Sequence, residues 1–104
     1  MDMEETAMKL IVNSGDAKSK AMDAIENAKA GKIPEAEKAL KEADEFLTKA
    51  HKFQTNIIQE EADGNIKSVT ILMAHAQDHM MNAITVIDMA REFVDLYAFI
   101  NNKK

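Results

Sequence analysis

Two histidines and an aspartate stand between positions 75 and 79 of an otherwise strongly apolar run, Ile71-Leu72-Met73-Ala74-His75-Ala76-Gln77-Asp78-His79-Met80-Met81-Asn82. On a helix, His75 and His79 lie one turn apart on the same face, and Asp78 lies beside both. Burying such groups without partners would cost kilocalories each, so their presence on an apolar helix demands an explanation. Three chemistries fit these residue types at this spacing. The imidazoles can be satisfied polar groups packed in a core or at an interface. Two His four residues apart can also share a metal ion, as in His-Glu-x-x-His helices. Here Ala76 takes the place of the Glu and no third ligand is evident, which argues against a catalytic zinc. The third is nucleophilic: a neutral imidazole accepts a phosphoryl group and gives it up again, needing only positioning and donors around the phosphoryl oxygens.

The rest of the chain limits what else can take part. It has no Cys, which removes disulfides, thiolate metal sites and a thiol nucleophile. The formal net charge is −5, with the acidic excess concentrated in residues 33–65, so phosphate-backbone binding is disfavoured and no nucleic-acid partner is expected. An acidic middle segment suits a basic protein partner, although a charge run on a helix is more often a solvated face. No apolar run approaches the roughly 20 residues that cross a bilayer. The start Met1-Asp2-Met3-Glu4-Glu5 lacks the basic region of a signal peptide, and the expectation is a soluble cytoplasmic protein without membrane insertion.

The elements that must hold these residues are helices. Eight Met, one Pro, three Gly and few β-branched runs favour helix over sheet, and 104 residues suit one domain spanning 1–104. Breaks at Ala30-Gly31-Lys32-Ile33-Pro34 and Asp63-Gly64-Asn65 cut the chain into helices over roughly 3–29, 34–61 and 66–101. Short connections make neighbours antiparallel, each about 40–54 Å long.

In the first helix Met8, Ile11, Val12, Gly15, Ser19, Met22 and Ile25 recur on one face, and the Ser14-Gly15 pair predicts a close approach by a neighbouring group. The second is an ordinary bundle helix, with Ala36, Leu40, Ala43, Leu47, Ala50, Gln54 and Ile57 in a stripe flanked by Ala39, Phe46 and Phe53. The third has only a narrow polar arc of Thr70, Gln77, Asp88, Glu92 and Asp95. Leu72, Ala76, Ala83, Ile87, Ala90 and Val94 make one apolar stripe; Ile71, His75, Asn82, Val86, Met89, Phe93, Leu96 and Ile100 line a second. One stripe suffices for a three-helix subunit, so the second implies self-association.

With these residues in view, the chain resembles the lactose/cellobiose-type enzyme IIA of the bacterial phosphoenolpyruvate-dependent sugar phosphotransferase system. The resemblance rests on His75-Ala76-Gln77-Asp78-His79 with Leu72-Met73-Ala74 before it and Met80-Met81 after it, and on Leu10-Ile11-Val12-Asn13-Ser14-Gly15 with Ala17 and Ser19. It implies a homotrimer of three-helix subunits with the third helices at the centre. It implies that His75 takes a phosphoryl group on Nε2 from the histidine phosphocarrier protein HPr and passes it to the cysteine of a IIB component, which serves the IIC permease. It implies that three copies of Asp78 hold a divalent cation, magnesium by preference, near the three-fold axis, since converging like charges need a cation or protons. Gln77 and His79 match motif positions as supporting residues: Gln77 through phosphoryl contact or through a partner-facing or structural hydrogen bond, His79 by orienting His75 or by hydrogen-bonding within the interface. A IIA subunit touches proteins and not carbohydrate, so lactose, cellobiose, chitobiose and related β-glucosides are not separated by these residues. The rival from another class is a non-catalytic helical adaptor with its histidines packed at an oligomer seam.

Overall fold

A computed structural model describes residues 2–103, which form three α-helices: α1 (Met3–Lys29), α2 (Ile33–Ala62) and α3 (Ile71–Asn102). The ends of α1 and α2 follow from local chemistry. The Asp2 side chain accepts a hydrogen bond from the Glu4 amide, with Glu4 and Glu5 in the first turn of α1 against the positive end of the helix dipole. At the other end Gly31 takes φ +83°, the Lys32 amide donates to the Asn27 carbonyl at 2.8 Å, and the Gly31 amide donates to Ala28 at 3.0 Å. This is a Schellman cap, which needs a residue free of a Cβ penalty at positive φ. Gly64 repeats it after α2 at φ +81°, with Asn65 donating to Glu60.

The third helix begins at Ile71, five residues later than the expected 66. Thr70 is its N-cap: the extended backbone (φ −86°, ψ 160°) lets the side-chain oxygen accept from the Met73 amide at 3.1 Å. A threonine cap satisfies an otherwise orphan donor, whereas continuing the helix back through Val69 and Ser68 would forfeit that bond and gain poor helix formers. Ile66, half-buried, packs onto the end of the core and ties the intervening segment down.

Two core clusters stack along a bundle 58 Å long and about 18 Å across, and their membership gives the antiparallel course of α1, α2 and α3. One joins Ala17, Ala21, Ala24 and Ala28 to Ala36, Ala39, Leu40 and Ala43 and to Ala83, Ile87, Ala90 and Val94. The other joins Ala7 and Leu10 to Ala50 and Ile57 and to Met73, Ala76 and Met80. The buried stripe of α2 is the expected one with Leu47 and Gln54 half-buried, and that of α3 adds Met73 and Met80 while Leu72 is half-buried, but that of α1 is not the one expected. Its buried face is Thr6, Ala7, Leu10, Ser14 and Ala17 to Ala28, while Met8, Val12, Ser19 and Met22 are exposed and Ile11, Gly15 and Ile25 half-buried. Small side chains let helix axes approach closely, so the alanine face is the one that fits between α2 and α3. The close approach expected at Gly15 is absent as well: nothing stands within 4 Å of where its Cβ would be. Its neighbour Ser14 is buried with a hydroxyl that meets no hydrogen-bond partner among the described residues.

Beyond the core, the second stripe of α3 stands in the open. Ile71, Met89, Phe93, Leu96 and Ile100 are exposed together with Met81 and Phe99, Leu96 by 51 % and Ile71 by 90 %. Among the described residues, no helix is long and apolar enough to cross a membrane.

Candidate functional site

Thr70 sets the start of α3 and therefore the phase of its first turns, which carry Met73, Ala76 and Met80 inward and turn His75 outward. His75 is exposed and His79 half-buried one turn on. Their Nε2 atoms stand 3.0 Å apart, with ring centroids 4.4 Å apart and the planes at 89°. A bond of that length between two ring nitrogens requires one N–H and one lone pair, so the two imidazoles share a single proton between them. When His79 donates it, the His75 Nε2 keeps a lone pair and His75 carries its own proton on Nδ1. That is the tautomer a nucleophile at Nε2 needs.

The helix packed behind this turn completes the site. Lys18 of α1, His75, Asp78, His79 and Asn82 line an open cleft of about 140 Å³. Asp78 is exposed, and its carboxylate is neither hydrogen-bonded nor ion-paired among the described residues. Lys18 is exposed too and enters none of the ion pairs that occupy Lys9, Lys20 and Arg91. The cleft thus offers a nucleophilic nitrogen, an imidazole N–H, an ammonium and an amide around a space large enough for a tetrahedral oxyanion. Such a set suits phosphoryl transfer, which calls for positioning and charge stabilisation more than for covalent chemistry by other groups.

Of the four residues singled out in the sequence, three meet in this cleft and one does not. Gln77 lies on the α2 side, where its side-chain oxygen accepts from the Gln54 amide at 2.8 Å, tying α2 to α3. Of the roles open to it, the structural hydrogen bond is therefore the one made. Lys18 and Asn82 were missed. Asn82 had a signal, being two helical turns beyond His75 on the same stripe; Lys18 had none, since only the packing of α1 on α3 brings it there. Elsewhere Arg91 of α3 pairs with Asp44 of α2, and that hydrogen bond, against partial desolvation, raises the guanidinium pKa further above its ordinary range. Neither residue of this pair lines the cleft. Among the described residues of one chain, no three His, Asp or Glu side chains converge as a metal site.

The family described as "PTS system, Lactose/Cellobiose specific IIA subunit" matches residues 5–98. The chain is 48 % identical over 103 residues to the lichenan-specific phosphotransferase enzyme IIA component of Bacillus subtilis, covering 99 % of this chain and 94 % of that one. Its fold superposes on the crystal structure of the cellobiose-specific enzyme IIA from Bacillus anthracis with a TM-score of 0.95 at 47 % identity, over 100 % of this chain and 95 % of the other. It superposes on the chitobiose IIA of the Escherichia coli IIA–HPr complex with a TM-score of 0.85 at 31 % identity, over 97 % and 98 %.

Proposed function

Since this chain belongs to the lactose/cellobiose-specific IIA family of the sugar phosphotransferase system, we propose that it is a single IIA domain which carries a phosphoryl group on His75 Nε2. The protein is a phosphotransferase component: it accepts the group from HPr and passes it to the cysteine of a IIB component, through which it reaches the IIC permease. The observation that carries the assignment is the exposed His75, its Nε2 held by His79 at the mouth of a donor-lined cleft. In the transfer, the N–P bond of the donor phosphoimidazole breaks as the Nε2–P bond forms. The electron pair returns to the donor ring, and the His79 N–H turns from the lone pair to a phosphoryl oxygen. Incubated with phosphoenolpyruvate, enzyme I and HPr, the protein gains one acid-labile phosphate per chain. No incorporation would leave the adaptor reading in possession.

The working assembly is a cytoplasmic homotrimer with the third helices at its centre. Two apolar surfaces support it, Met8, Val12 and Met22 on α1 and Met81 to Ile100 on α3, which one subunit leaves uncovered. Asp78, an unpaired hard-oxygen donor on that side of α3, fits a divalent cation such as magnesium only when three copies converge, because one chain supplies a single carboxylate. The ion would be structural: three Asp78 carboxylates would hold it, it would offset most of their charge, and no transfer step runs through it. Asp78→Leu removes the like-charge repulsion at the axis, so the trimer persists in excess chelator with equal or greater resistance to dissociation on dilution. Sedimentation of the variant checks this, and monomers would mean that carboxylate and ion hold the assembly together.

A further inference from the structure

We propose that Lys18, reaching in from α1, is a phosphoryl-binding residue of the site: its ammonium donates to the oxygens of the group on His75 and offsets their charge. The proposal rests on the reading of His75 as the phosphoryl acceptor. Three observations lead to it. Lys18 lines the same cleft as His75, Asp78, His79 and Asn82, and it is the only formally cationic side chain there. Among the described residues it enters no ion pair, while of the other lysines of α1 Lys9 is held by Glu5 and Lys20 by Glu42 of α2. The third is a charge balance. A phosphoryl group brings about two negative charges to a cleft beside the Asp78 carboxylates, whose charge in the trimer a single divalent cation would offset only in part. The remaining donors, an imidazole N–H and the Asn82 amide, are neutral. Without a cation the loaded state would face like charge at close range, and a Lys ammonium, with three rotatable donors on a flexible stem, can follow a phosphoryl group from donor to acceptor.

The same contact acts in the transition state, where charge spreads over the three phosphoryl oxygens as one N–P bond breaks and another forms. Lys18 therefore lowers the barrier as well as stabilising the product, and it does so whatever the donor. That separates it from a lysine that only docks an acidic partner. The protein-free test uses phosphoramidate, a small donor whose N–P bond breaks as the bond to Nε2 forms, ammonia leaving with a proton from water. Phosphorylation by phosphoramidate is followed in the full-length chain for wild type, Lys18→Met, Lys18→Arg and, as a control, Lys20→Met. Lys18→Met is expected to slow the reaction about tenfold or more, Lys18→Arg to stay within about threefold of wild type, and Lys20→Met to leave it unchanged. Because Lys18 is exposed and unpaired, helicity and assembly of Lys18→Met should match wild type, which circular dichroism and sedimentation verify. A Lys18→Met rate within twofold of wild type, a loss seen only with HPr as donor, or no rescue by Arg would overturn the proposal. If wild type takes up no phosphate at His75 from either donor, it is the assignment of His75 that fails instead.

Discussion

Replacing His75 with Ala is expected to abolish acid-labile phosphate incorporation from phospho-HPr, whereas His79→Ala should retain part of it. The asymmetry follows from which nitrogen does what. A covalent carrier that loses its nucleophile has no second path, so the His75 variant falls by at least ~10³-fold, into the background of the assay. The His79 Nε2 is 3.0 Å from the nitrogen proposed to react and, in that reading, does not itself form the bond. Its loss removes the donor that holds His75 in the Nδ1–H tautomer and that later meets a phosphoryl oxygen. The expected cost is about tenfold in the rate of loading, with the stoichiometry still approaching one per chain at long times. Rapid-quench labelling followed by separation at alkaline pH, where phosphohistidine survives, reads both quantities. If His79→Ala alone were unlabelled, the two imidazoles would have exchanged roles; labelling of His75→Ala would remove the carrier assignment altogether.

Leu96→Asp is expected to convert the proposed trimer into single chains of 11.6 kDa that keep their helical content. Leu96 is half exposed in one subunit and lies with Phe93 and Ile100 on the face of α3 that points away from the core. Fully burying a Leu or Phe side chain contributes about 1.5–3 kcal/mol each, and a symmetric assembly makes every such contact three times. A carboxylate there forfeits the burial and adds the cost of desolvating a charge without a partner, several kilocalories per copy. Within one subunit the substitution is nearly free, since Leu96 touches neither core cluster. Light scattering or sedimentation at micromolar concentration separates the outcomes. A Leu96→Asp protein that remained trimeric would place the interface elsewhere, on α1 or α2. A variant that unfolded instead would show that the subunit needs its partners to be stable.

Much of this architecture could be read before any coordinates. The breaks at Gly31 and Gly64 follow from backbone freedom at single residues, and the structure realises them as two Schellman caps with the same pair of hydrogen bonds. The start of α3 was placed too early because Ile66 and Val69 extend the apolar pattern backwards. A helical pattern does not reveal that the Thr70 side chain will cap the helix, or that Ile66 will pack against its end. In α1 the period was right and the facing wrong. Met8, Val12 and Met22 and the alanine row from Ala17 to Ala28 have the same spacing, so periodicity cannot say which meets α2 and α3. Hydrophobicity favoured the methionines, but close packing of three axes favoured the alanines.

The sequence by itself determined most of what has a local cause, the Thr70 cap excepted: three helices, the two glycine stops, and a motif that puts His75, Asp78 and His79 on one turn of one helix. Tertiary structure alone decided what comes from elsewhere in the chain. It turned the larger face of α1 outward, tied Gln77 to Gln54 and away from the cleft, and set Lys18 beside His75. The physical reason is that a helix dictates the relative positions of its own side chains through fixed rise and rotation. The neighbours that complete a site are chosen by which faces pack most closely, and that choice belongs to all three helices together.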